Sequence, residues 1–134
     1  MIVVDTNVIA YLMMEGKKTG LAQQTLNRDS SWALPSLWRH EFLNVLATYV
    51  RHGGTGIEEA VEIWQKTTLI FSTGEREVDM PQALRLAGQY NISAYDAQYV
   101  ALAVDLGTLY VTEDQQILKS FSGLALSLQE FCES

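Results

Sequence analysis

Two acids stand directly behind apolar runs in this chain. Asp5 ends Ile2-Val3-Val4, and Asp114 closes Thr112-Glu113-Asp114 behind Leu109-Tyr110-Val111. A backbone buried on both sides thus abruptly presents a carboxylate. One such Asp is by preference a helix cap; two at one sheet edge change the odds. Glu41 lies three residues after Trp38 and four before Val45, so helical spacing sets it beside an apolar stripe. A carboxylate there must be paired, protonated or metal-bound, because an isolated buried charge is very costly. Pairing with Arg39 or His40 is the structural reading of the same position. Asp96 follows Ser93-Ala94-Tyr95 in a stretch that resembles a capping box, in which the acid bonds back to the cap.

What turns four ordinary acids into a candidate site is their convergence. Glu41 and Asp96 fall in the first two turns of helices expected to start at the sheet edge where Asp5 and Asp114 emerge. Four neighbouring carboxylates repel and titrate as a set unless a cation neutralises them. Oxygen-only ligands select hard ions, so Mg²⁺ or Mn²⁺ is the natural filler. Such a site can position a phosphate, lower the pKa of a bound water and stabilise the leaving oxygen. The chemistry expected is hydrolysis of a phosphodiester.

The elements that must position these acids alternate between strand and helix. Ile2-Val3-Val4 reads as a strand and Val8 to Met14 as a helix, capped by Asn7 and closed by Gly16. A helix over 20–28 follows, then a strand at Trp32-Ala33-Leu34. Ser36 is the expected cap of a long helix to about Arg51, with Trp38, Phe42, Val45, Leu46 and Tyr49 as its core stripe. Thr55-Gly56-Ile57-Glu58 matches a capping box ahead of an apolar face of Ile57, Ala60, Val61 and Trp64. Leu69-Ile70-Phe71 reads as a third strand. Asp79 caps a helix whose Ala83, Leu84, Ala87 and Tyr90 face inward, and Ser93 caps another that runs through Tyr95 and Tyr99 to Gly107. After Leu109-Tyr110-Val111 come a short helix over 115–120, a strand over 124–128 and a terminal turn. This alternation predicts an α/β fold with a parallel sheet covered on both faces.

With 134 residues, 48% of them hydrophobic and 19% charged, the chain fits one domain, 1–134, with a substantial core. No apolar run reaches membrane-spanning length and no signal peptide opens the sequence, so the expected location is the cytoplasm. Cys132 has no cysteine partner and reads as an ordinary thiol. A net charge of −7 works against a polyanionic partner, but a loaded divalent ion reverses the local sign. Lys17, Lys18, Arg39 and Arg51 are the candidate local cations.

Val4-Asp5-Thr6-Asn7, Glu41, Tyr95-Asp96-Ala97 with Tyr99-Val100-Ala101-Leu102-Ala103, and Thr112-Glu113-Asp114 occur in this order. Together they resemble a PIN-domain ribonuclease, particularly the VapC-type toxins of toxin-antitoxin pairs, over essentially the whole chain. The resemblance implies a three-layer α/β/α domain with a central parallel sheet of about five strands. It also implies a Mg²⁺- or Mn²⁺-dependent endoribonuclease that forms a homodimer and is inhibited by a small VapB-like antitoxin. Carried over, Asp5, Asp96 and Asp114 would be metal ligands and Glu41 would complete the acidic pocket; Thr6 and Thr112 would support them. No expected acid is missing.

The apolar series Val8 to Met14 leaves part of its surface for a partner, so the antitoxin is expected to dock near the first two helices. A phosphoaspartate receiver is a poor rival, because the acidic pair after the first strand and the Lys after Val111 are lacking. A non-catalytic PIN-like scaffold would place the same acids as caps, and the acids themselves are silent on RNA against DNA.

Overall fold

A computed structural model of the chain describes residues 1–134. Five strands, β1 (Ile2–Val4), β2 (Trp32–Pro35), β3 (Glu75–Arg76), β4 (Tyr110–Val111) and β5 (Ala125–Leu126), form an all-parallel sheet in the order β3-β2-β1-β4-β5. Eight helices connect and cover them: α1 (Thr6–Met13), α2 (Thr19–Arg28), α3 (Trp38–His52), α4 (Ile57–Phe71), α5 (Met80–Tyr90), α6 (Ala94–Leu106), α7 (Gln115–Ser120) and α8 (Leu128–Glu133).

The layers follow from the two-residue period of a strand. Ile2, Val4, Trp32, Leu34 and Val111 point to one face, where Val8, Ile9, Trp38, Phe42, Phe71 and Leu128 pack on them. Val3, Ala33 and Tyr110 point to the other, against Ala83, Leu86, Ile117 and the nearly all-apolar α6. Helices α1, α3, α4 and α8 thus cover one side and α5, α6 and α7 the other, giving the expected three layers.

Several local expectations are corrected. Asn7 does not cap α1; Asp5 does. Ser36 and Thr55 cap nothing: α3 begins behind Leu37 and α4 behind Gly56, each without a side-chain cap. Tyr49 leaves the core stripe and is 45% exposed, and Leu84 and Tyr95 likewise face solvent, with Leu86 buried in place of Leu84. Ile57 and Val61 are exposed as well. Leu69-Ile70-Phe71 is the last turn of α4, not a strand. Helical spacing continues from Ala60 through Thr67 to Phe71, which stacks on Trp32 at 5.3 Å, while Leu69 and Ile70 turn to solvent. The third strand is the two-residue β3, reached through a tight turn at Gly74, where a Cβ would collide with the Trp32 carbonyl oxygen. The terminal turn is α8, opened by a full capping box between Ser127 and Glu130.

Strand order matters most for the site. From β1 the chain builds outward through β2 to β3, then returns to the other side of β1 as β4 and β5. The reversal falls between β1 and β4, and ligands of open α/β sheets bind at the carboxyl end of such a switch point.

Candidate active site

Asp5 leaves β1 at the switch point. Its backbone N–H donates to the Val111 carbonyl at 3.1 Å, carrying the β1–β4 pairing one residue past the strand. The carboxylate caps α1 through the Asn7 N–H at 3.4 Å and accepts the Thr112 hydroxyl at 2.9 Å. Thr112 is fully buried, and its hydroxyl also accepts the Asp114 N–H at 3.1 Å. One hydroxyl therefore joins the Asp5 carboxylate to the backbone of Asp114. Burial raises the Asp5 carboxyl to about 6; the charges of Glu41 and Asp96 push the same way, against the Thr112 and Asn7 hydrogen bonds.

Glu41 sits in the first turn of α3. It pairs with neither Arg39 nor His40. Its Oε1 accepts the Tyr99 hydroxyl at 2.5 Å and the Thr6 hydroxyl at 3.1 Å, and those two hydroxyls lie 2.5 Å apart. Three elements thus meet on one carboxylate: the first residue of α1, the first turn of α3 and the second turn of α6. Burial, then the Glu41 charge, holds the Tyr99 phenol above its ordinary range, so it remains a donor. Tyr99 also stacks on Tyr110 at 5.7 Å, which fixes the ring over the sheet.

Asp96 forms only half of the anticipated capping box. Its N–H donates to the Ser93 hydroxyl at 3.0 Å, but its carboxylate makes no return bond and is left for another role. Partial burial and the nearby Asp114 charge raise its pKa, with the Ser93 hydrogen bond opposing. Asp114 caps α7 by accepting the Ile117 N–H at 3.0 Å.

The fold therefore links the four acids in series at one sheet edge. Asp5 feels Glu41 and Asp96, and Asp96 feels Asp114. No three of them close into a ready ligand shell. Carboxylate oxygens suit a hard divalent cation such as Mg²⁺ or Mn²⁺, with water completing its shell.

Tyr99 was not anticipated here. Its apolar neighbours read as core, but the signal was available: it lies three residues after Asp96, on the same helix face, and a buried phenol needs a partner. The candidate cations separate. Arg39 pairs with Glu75 on β3, and Arg51 borders an apolar groove between α3 and α4. Lys17 and Lys18 line a cleft beside α1, and Lys18 bonds Glu113 at 2.8 Å. Of the apolar series on α1, Val8, Ile9 and Ala10 are buried, and Tyr11 to Met14 pack partly buried against the core.

Residues 2–122 match the PIN domain family. Ribonuclease VapC3 of Pyrobaculum aerophilum is 28% identical over 127 residues, which span 92% of this chain and 96% of that protein. The crystal structure of PAE2754 from Pyrobaculum aerophilum shares the fold, with a TM-score of 0.77 over 98% of this chain and 93% of that one, at 22% identity. The family match runs from β1 through all four carboxylates, and the chain belongs to the PIN-domain family.

Proposed function

We propose that this chain is a divalent-metal-dependent endoribonuclease, the toxin of a toxin-antitoxin pair, working as a single domain in the cytoplasm. The observation that carries the reading is the meeting of Asp5, Glu41, Asp96 and Asp114 at the β1–β4 switch point, with Asp5 and Glu41 each oriented by buried hydroxyls. The likeness to Ribonuclease VapC3 supports RNA as substrate and a VapB-like antitoxin as partner; the working unit in this reading is a homodimer. No helix is long and apolar enough to cross a membrane.

In this reading Asp5, Asp96 and Asp114 hold Mg²⁺ or Mn²⁺, and Glu41 completes the pocket directly or through water. The bound ion supplies charge neutralisation for the phosphate and a more acidic water. Glu41, aimed by Tyr99 and Thr6, accepts a proton from the attacking water as general base. Thr112 keeps the Asp5 carboxylate turned toward the pocket, and Thr6 keeps Glu41 from swinging to solvent. Both threonines are positioning residues.

The lack of a preformed three-carboxylate shell is also what a non-catalytic PIN-like scaffold would show. Incubation of the purified chain with total RNA and Mn²⁺, followed by mapping of new ends, tests the proposal. Discrete cleavage that Asp96→Asn abolishes is the expected result. No cleavage, together with no Mn²⁺-linked stabilisation that Asp5→Asn plus Asp96→Asn removes, would assign the scaffold instead.

A further inference from the structure

We propose that the cleft between α1, the α1–α2 loop and α3 is a binding subsite for one unpaired nucleotide of a single-stranded RNA, next to the scissile phosphate. The proposal rests on the nuclease reading above and adds where and in what form the substrate is held.

The cleft has a volume of about 490 Å³ and is lined by Asn7, Tyr11, Lys17, Lys18, Asn44 and Tyr49 among others. Cavities of roughly 300 to 1,000 Å³ take ligands of nucleotide size. Its lining touches three of the acid-bearing segments. The Asn7 N–H bonds the Asp5 carboxylate. Asn44 lies three residues after Glu41, on the same face of α3. Lys18 bonds Glu113, the neighbour of Asp114. A strand whose phosphate lies on the acids would therefore enter this cleft with its adjoining residue.

The chemistry of the lining fits a nucleotide. Lys17 is exposed and makes no ion pair. Lys18 has its ammonium over the Tyr11 ring at 5.3 Å. Its pair with Glu113 is a partly exposed surface bridge, which a phosphate can displace at little cost. Against these two cations the lining holds one acid, Glu15, and Glu113 pairs Lys18 from outside it, so the charges around the cleft balance in a chain of net charge −7. Tyr49, 45% exposed, offers a ring face for stacking, and the amides of Asn7 and Asn44 can donate to and accept from a base edge. Bases in a duplex are already stacked and paired, so this lining selects an unpaired residue. The groove between α3 and α4 is lined almost wholly by apolar side chains, with Arg51 its one cation and no amide for a base edge.

Fluorescence anisotropy with a labelled 12-nucleotide single-stranded RNA, on the full chain in EDTA across a salt series, tests the assignment. Lys17→Ala with Lys18→Ala should weaken binding roughly tenfold and flatten the salt slope by about 1.4. Tyr49→Leu should weaken it roughly five- to hundredfold. A blunt duplex of the same sequence should compete poorly, and 4-thiouridine crosslinks should map to peptides holding Tyr11 or Tyr49. Unchanged affinity and slope in these variants, while the wild-type chain still binds and cuts RNA, would remove the subsite and leave the nuclease reading intact. Binding that depends on these residues without any cleavage would keep the subsite and remove the nuclease. Crosslinks on Leu43 or Ile57, or protection of the cleft by a protein partner with RNA binding unaltered, would overturn the assignment.

Discussion

Tyr99 and Glu41 lie 58 residues apart in sequence, and the phenol donates to the carboxylate at 2.5 Å. The bond joins α6 to α3 above the sheet, with Thr6 of α1 in contact with both partners. Tyr99→Phe keeps the stack on Tyr110 but removes the donor. A hydrogen bond to a charged group contributes about 1.5 to 3 kcal/mol. RNA cleavage by the variant should therefore fall by about 10- to 100-fold in kcat with KM little changed, measured in Mn²⁺. An unaltered kcat would show that Glu41 does not depend on the phenol.

Thr112 offers a second test of positioning. Thr112→Val is nearly isosteric but strips a donor from Asp5 and an acceptor from the Asp114 N–H, in a fully buried position. Denaturant unfolding should show a loss of about 1 to 3 kcal/mol. Mn²⁺ affinity, followed by thermal shift, should weaken as well. Thr112→Ser restores the hydroxyl and should recover both; a serine variant as defective as the valine one would point to packing instead.

The pH dependence of Asp5 has a defined sign. Its folded carboxyl is raised from 3.8 to about 6, so the folded state holds a proton that the unfolded state has already released. Below the unfolded value both states are protonated and nothing is lost. As pH rises from about 4 through 6 the metal-free protein loses stability, at most about 3 kcal/mol and less because the carboxylate is partly exposed. Asp5→Asn in EDTA should then melt above wild type at pH 7.5 and level with it below pH 4. Mn²⁺ should reverse the order at pH 7.5 by stabilising the wild type alone. A melting difference in EDTA that ignores pH would place the cause outside ionisation.

How far the sequence could be read follows the range of the forces involved. The starts of α5, α6 and α7 are set by local chemistry, an Asp or Ser bonding an N–H three residues on, and they were visible in the pattern of residues, whereas α1 starts two residues earlier than expected because Asp5 and not Asn7 caps it. The placement of Asp5 and Asp114 behind apolar runs was visible for the same reason. β3 was not. Its two residues, Glu75 and Arg76, are charged and form an edge strand, so they carry no apolar period, while the β-branched stretch before them serves a helix. Contacts among Thr6, Glu41 and Tyr99 were hidden too, because they depend on how α1, α3 and α6 settle on the sheet.

The overlooked strand bears on the site through Glu75. Helix α3 has no side-chain cap, and its first turn is instead held from β3: Glu75 accepts the Trp38 indole N–H at 2.8 Å and pairs with Arg39. Trp38 is fully buried, so Glu75→Ala would strand its N–H and lower stability by about 1 to 3 kcal/mol. Because Glu41 lies in that same first turn of α3, loosening it should also lower cleavage. Glu75→Gln keeps an acceptor for the indole and gives up the charge pair with the partly exposed Arg39, worth at most about 1 kcal/mol. The glutamine variant should therefore stay near wild type in both unfolding and cleavage while the alanine variant falls in both. Equal losses in the two would shift the weight to the ion pair, and no loss in either would show that α3 needs no support from the sheet edge.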